Sequence, residues 1–278
     1  MAKLVNLILA FWATLFVSPL FAHESLEHQI ERANRTLATH PKDTEELFNR
    51  AMLHFQRQQY QGALEDLKVL ETLGEMPSEA LLLKARVLMK QKTYKQAFST
   101  LEGLLSREPK STDGYLLRSQ LNHQVNRGTE AVADARKAID YAPFPLLLHY
   151  RHFIAMERQY GTTESTAEAF ELTIARVGSS SALLNLYAQW LASIGRLDQA
   201  ASVYAQLRDE IPTLSFTTWL AEVEMWRRAM RPHRANAAMQ HAKDVWQTLS
   251  PNIRRRQAMV ERYERLVSQM QEVEGGTL

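Results

Sequence analysis

Two histidines one helical turn apart, His149 and His152, form a pair whose spacing suits a shared metal ion, because residues three apart meet on one face of a helix. A third ligand at fixed spacing is missing, and the chain has no cysteine to supply one. Nucleophile and phosphate chemistry find even less. There is no glycine-rich phosphate loop, no His-Glu-x-x-His, no nucleophile elbow and no Cys-His pairing. No catalytic residue, metal ligand set or cofactor is therefore expected. The remaining chemistry-bearing feature is a run of arginines, Arg227, Arg228, Arg231 and Arg234, followed by Arg254, Arg255 and Arg256, with Trp219 and Trp226 interleaved. Guanidinium groups beside aromatic rings can hold phosphate, anionic headgroups or an acidic segment. The plainer reading is that they solvate an exposed end of the fold.

The elements that must position such residues repeat. Ala63, Ala97 and Ala131 lie 34 residues apart, each near the start of an apolar helix, and Ala200 returns in the same phase. Rows of this length align Leu47, Leu81 and Tyr115, then Ala51, Ala85 and Ser119, then Leu67, Leu101 and Ala135. Small residues recur where helices must touch. Pro109 and Pro143 close two rows, since proline cannot continue a helix. A one-residue slip near Phe144 shifts the frame into a weaker fourth row through Tyr150, Phe153, Gly161, Thr166 and Phe170. The fifth row is clear again, through Leu184, Tyr187, Ala188, Gly195, Ala200 and Pro212. A looser sixth runs through Trp219, Val223, Trp226, Met230, Ala235 and Met239. Asp43 with Glu46, and Asp198 with Ala201, sit where a side chain can accept an orphan N–H at a helix start. Strand-like alternation and Asn-Gly turns are absent, so the expected fold is all-α.

This pattern resembles the tetratricopeptide repeat family, whose unit is a 34-residue helix-turn-helix with a small residue in each helix and a closing proline. The resemblance covers residues 44–214 firmly and 215–247 loosely. It departs at Thr166, where alanine is usual, at Asn122, where an aromatic is common, and at Pro77, which ends the first row late. It implies a right-handed α-solenoid of about six repeats over 44–247, the fourth and sixth degenerate. An N-terminal capping helix would occupy 23–43, and a C-terminal capping helix with a tail 248–278.

In that family the inner face is lined by the first helix of each repeat. The corresponding positions here are Phe48, Met52 and Phe55, then Leu82, Arg86, Met89 and Lys90, then Leu116, Gln120 and His123, then Arg151, Ala155 and Arg158, and last Asn185 and Gln189. The resemblance implies a groove for a peptide segment of a partner protein, with apolar anchors early and basic groups later. One family device, the clamp that holds a terminal carboxylate with a lysine and asparagines, is not supported, because Phe48 and Met52 stand in its places.

Residues 1–22 have the layout of a secretory signal: Lys3, an apolar run from Leu4 to Val17, then Ser18, Pro19 and Ala22. Cleavage after Ala22 would leave a protein with no membrane span, and an exported chain without disulfides suits a periplasm or secretion. At 45% apolar and 23% charged the composition is that of an ordinary soluble domain, and a net charge of +2 disfavours general nucleic-acid binding. Three function classes remain. The favoured one is an exported adaptor binding a protein segment. The others are a binder of anionic envelope components or polysaccharide through the Arg/Trp-rich patch, and an enzyme. A glycan binder would need exposed tryptophans, for which Trp190, Trp219, Trp226 and Trp246 are the candidates, Trp190 reading as core by its phase.

Overall fold

The computed structural model describes residues 25–274 apart from position 145. The leader assigned to residues 1–22 and the closing Gly275 and Gly276 lie outside the described residues. Among the described residues every regular element is helical, and the fold is an all-α solenoid of helical repeats. The chain divides into two compact units, Met1–Pro143 and Phe144–Leu278. That boundary falls where the repeat frame slips.

Unit 1 opens with the single helix α1 (Leu26–Thr39), which buries Ile30, Ala33 and Leu37. Three hairpins follow: α2 (Thr44–Gln56) with α3 (Tyr60–Leu73), α4 (Ser78–Lys90) with α5 (Tyr94–Arg107), and α6 (Thr112–Gln124) with α7 (Gly128–Tyr141). Unit 2 continues with α8 (Leu147–Tyr160) and α9 (Thr163–Val177), α10 (Ser181–Ser193) and α11 (Leu197–Glu210), then α12 (Ser215–Arg228) and α13 (Pro232–Thr248). A short α14 (Pro251–Arg254) and a long α15 (Gln257–Glu274) end it.

Local chemistry explains the boundaries. Ser25, Asp43, Ser111, Thr162 and Ser180 each precede a helix and accept a backbone N–H of its first turn, Asp43 from Glu46 at 3.0 Å. Asp198 does not cap. It lies inside α11 as the second residue, two positions after the N-cap Arg196, and its carboxylate meets Arg231 and Arg234 instead. Five hairpins turn on one left-handed residue, Gln58, Lys92, Asn126, Gly195 or Met230. Ala63, Ala97, Ala131 and Ala200 are each fully buried, because a larger side chain there would hold the two helices of a hairpin apart.

The departures from the repeat are satisfied by hydrogen bonds. Thr166 is buried and donates its hydroxyl to the carbonyls of Glu157 (3.0 Å) and Thr162 (2.8 Å). Buried Asn122 donates to Asp134 at 3.0 Å, and Asp134 also holds Arg118 through two bonds of 2.8 and 2.7 Å. The first hairpin carries the same ion pair two repeats earlier, Arg50 with Asp66. Gly74, at φ 76°, ends α3 in a left-handed cap before Pro77, which accounts for the late close of that row. The C-terminal cap is not one helix. The N–H of Arg256 bonds the Ile253 carbonyl in a tightened turn, and the bend lets α15 bury Leu266.

Candidate functional site

The inner-face residues read from the repeat phase divide between the two units. In unit 1, Phe48, Met52 and Phe55 follow one face of α2, half-buried against the core formed by Leu47, Ala51 and Leu67. Arg86 and Lys90 are exposed on α4, while Leu116, Gln120 and His123 are partly covered on α6. Leu82 and Met89 do not face a groove. Only 8% and 7% exposed, they belong to the core cluster of Leu88, Leu101, Leu117 and Leu121. The reason is packing: α4 contacts both α2 and α6, so its flanks are covered from two sides. In unit 2, Arg151, Ala155 and Arg158 are exposed along one face of α8.

Asn185 and Gln189 prove more informative. They line a cavity of about 580 Å³ between α10, α12 and α15. From α10 come Ser181, Asn185 and Gln189, and from α12 Thr217, Ala221 and Glu224. Arg262, Arg265 and Gln269 of α15 complete it. A second space of about 670 Å³ shares Gln189, Ala221 and Glu224 and continues along Ala192, Ser193 and Arg228. Each helix contributes at steps of three or four residues, as one helix face must. Of this lining, the repeat phase pointed to Asn185 and Gln189 of α10 and to none of the residues on α12 and α15. The signal for α12 was present in the spacing of Thr217, Ala221, Glu224 and Arg228 around the core residues Val223 and Trp226. The α15 wall carries no repeat phase from which to read it.

Chemically this site is a row of groups that both donate and accept. Carboxamides at Asn185, Gln189 and Gln269 and hydroxyls at Ser181 and Thr217 can bond a peptide N–H or C=O. Residues four apart on a helix stand about 6 Å apart along its axis, close to the ~6.6 Å between alternate residues of an extended chain. Beneath α10 the aromatic cluster of Phe170, Tyr187 and Trp190 fixes the helix, with Phe170 and Tyr187 stacked at 4.7 Å. Burial and the neighbouring Glu171 push the Tyr187 phenol up to about 12. On the other side of α12, burial pushes the Glu222 carboxyl up against the opposing pull of its partner Arg208, whose guanidinium lies 3.7 Å over the Trp219 ring.

The arginine patch is engaged within the protein. Arg228 donates to Glu224 at 2.7 Å, Arg231 and Arg234 share Asp198 and lie over the Trp226 ring, and Arg227 is half-buried. Among the described residues the tryptophans offer no open platform. Trp190 and Trp226 are buried, Trp219 is stacked on His241 at 4.6 Å, and Trp246 is stacked on Tyr263 at 4.4 Å. His149 is buried with its Nδ1 unpartnered. Among the described residues no three His, Cys, Asp or Glu gather as a metal site, and no described helix is long and apolar enough to cross a membrane.

The family model for anaphase-promoting complex, cyclosome, subunit 3 matches residues 22–104, a stretch that includes α1 and the first hairpin. No curated protein matches the chain. Among solved structures, the C-terminal part of a TPR repeat-containing protein from Cytophaga hutchinsonii superposes with a TM-score of 0.63 at 13% identity, over 87% of this chain and 96% of that one. A tetratricopeptide repeat protein from Parabacteroides merdae gives 0.51 at 14% identity, over 87% and 92%. The protein MamA gives 0.51 at 15% identity, over 62% and 93%. At these identities the likeness shows the fold, a stack of helix-turn-helix repeats. That fold is similar to the one these tetratricopeptide repeat proteins have.

Proposed function

We propose that this protein is a non-catalytic interaction scaffold whose second unit holds an extended segment of a partner protein against the inner faces of its last two repeats. One observation carries this reading: the cavity between α10, α12 and α15 is lined by carboxamides and hydroxyls at the spacing of alternate peptide groups. The fold supports it, since stacked helical repeats typically serve as interaction surfaces. Within unit 1, the half-buried stripe of Phe48, Met52 and Phe55 offers apolar anchors, and the exposed Arg86 and Lys90 suit acidic groups of a partner. We place the protein outside the cytoplasm, in a periplasm or secreted, on the strength of Lys3, the apolar run from Leu4 to Val17 and the small residue Ala22.

Photo-cross-linking tests the site. A benzoylphenylalanine at Gln189 in the full-length protein, irradiated in the cells that make it, should yield discrete adducts to one or a few peptide segments. The same probe at exposed Glu168 should not. Adducts equal at both positions would remove the cavity as the binding site. The mass of the protein recovered from the envelope fraction tests export: it should begin at His23.

A further inference from the structure

The α12–α13 turn breaks a rule that the other hairpins keep. In four of them the left-handed turn residue is Gln58, Lys92, Asn126 or Gly195, all polar or lacking a side chain. A side chain at this position points into solvent, for a Cβ built on Gly195 meets nothing within 4 Å. At the corresponding place stands Met230, with φ 55° and 88% exposed. Methionine gains nothing from this backbone, which favours glycine and asparagine, and it gains no burial either. Neither folding nor solubility explains it.

Its surroundings say what the tip fits. Arg227, Arg228, Arg231, His233 and Arg234 flank it, and no acidic residue occurs from Met225 to Lys243. Glu224, one turn back on α12, pairs with Arg228, and Asp198 of α11 pairs with Arg231 and Arg234. Those guanidiniums are still 47–79% exposed, so the pairs are weak and free to exchange for other anions. Three exposed guanidiniums against two carboxylates leave the tip cationic. A convex turn with one apolar side chain inside a cationic ring does not match a peptide, which needs a concavity. It matches a membrane surface, where an apolar side chain sinks to the headgroup boundary and arginines meet phosphates.

We propose that the tip of the α12–α13 hairpin, residues 227–234, docks on an anionic lipid bilayer, with Met230 entering the headgroup region and the surrounding arginines contacting lipid phosphates. The tip adjoins the segment-binding site through Arg228, which lines its second space, so Arg231 and Arg234, which line neither space, test the tip by itself.

The absence of cysteine makes a site-resolved test simple. Met230→Cys in the full-length protein carries one environment-sensitive fluorophore, and Asn126→Cys, at the equivalent turn of the third hairpin, serves as reference. Vesicles of phosphatidylcholine are compared with and without phosphatidylglycerol. With phosphatidylglycerol the label at 230 should brighten and shift to the blue while the label at 126 does not. Arg231→Gln and Arg234→Gln should each weaken the partition measured at 230 roughly fivefold, and raised salt should do the same. Three results would overturn the proposal: equal responses at both positions, a response reproduced by soluble glycerol phosphate alone, or no response to vesicles together with one to a lipid-free protein fraction. The last would make the tip a protein contact.

Discussion

In unit 1 the first helix α4 touches both α2 and α6, and its Leu82 and Met89 are buried in the core. In unit 2 the residues at the same two places of the repeat are Asn185 and Ala192, and there α10 and α12 leave a cavity. Whether an inner face is filled or hollow is thus decided by two side chains per repeat. Large apolar residues pack across the gap. A carboxamide and a methyl group leave it open. The polar cement differs in place: unit 1 ties the two helices within its first and third hairpins with the bidentate pairs Arg50–Asp66 and Arg118–Asp134, while unit 2 sets its pair, Arg208–Glu222, between α11 and α12 and stacks Phe170, Tyr187 and Trp190 between α9 and α10.

The largest expected effects come from the cores that hold these faces in place. Phe170→Ala removes a fully buried ring from the stack beneath α10, and should cost about 3–5 kcal/mol, with hydrogen exchange accelerated through α9 and α10. In unit 1, Ala97→Trp should cost about 1–3 kcal/mol by overpacking the α4–α5 crossing. Gln91→Ala, in the turn beside it, should leave the melting midpoint nearly unchanged. Equal shifts for Ala97→Trp and Gln91→Ala would mean that the repeat register is misplaced.

The ion pairs rank next. Asp134→Asn leaves Arg118 without its counter-charge and weakens the acceptor for Asn122. Because Arg118 is itself 23% exposed, the loss should fall below that of a fully buried pair, at about 2 kcal/mol. The second hairpin supplies the control, since Lys84 stands at the place of Arg50 and Arg118 but reaches Glu71, which is 54% exposed. Lys84→Ala should cost under about 1 kcal/mol. Urea midpoints of both variants measure the contrast, and similar losses would erase it.

How far these differences were legible in the sequence follows from what repeats. Ala63, Ala97 and Ala131 fix the register, and the slip at Phe144 marks the division into units, because both leave a trace in spacing. Spacing gives the direction of a side chain but not what covers it. Leu82 and Met89 therefore read as groove residues, although α4 is flanked on both sides. Asn185 and Gln189, read from the same rule, border a cavity because they are polar and less tightly flanked. Caps depend on a single position: Asp43 capped as expected, whereas Asp198 fell inside its helix and became a partner for arginines from another hairpin. The α15 wall, with Arg262, Arg265 and Gln269, repeats nothing and was invisible.

Exchanging the two faces is the sharpest test of that comparison. Asn185→Leu with Ala192→Met gives unit 2 the side chains that close unit 1. Both positions border open space, so stability should change by less than about 1 kcal/mol. Binding of a cross-linked segment, resynthesised as a peptide, should fall at least roughly tenfold, since the amide bonds and the space are lost together. Unchanged affinity, with the fold intact, would show that the hollow is not used.

The smallest effect is visible only at alkaline pH. Tyr187 donates its hydroxyl to Glu171 at 3.2 Å, and burial together with that carboxylate raises its pKa from 10.0 to about 12. A phenol whose folded pKa lies above its unfolded value stabilises the fold fully below pH 10.0 and loses that contribution as pH rises through about 12. Unit 2 should therefore weaken in this window, and Tyr187→Phe should remove the loss while changing little at neutral pH. The difference in phenolate absorbance between wild type and Tyr187→Phe reads the group directly. A titration near pH 12 places Tyr187 in the buried stack, whereas one near pH 10.0 would mean that the aromatic stack beneath α10 is open to water, and that the helix presenting the hydrogen-bonding row is less firmly held.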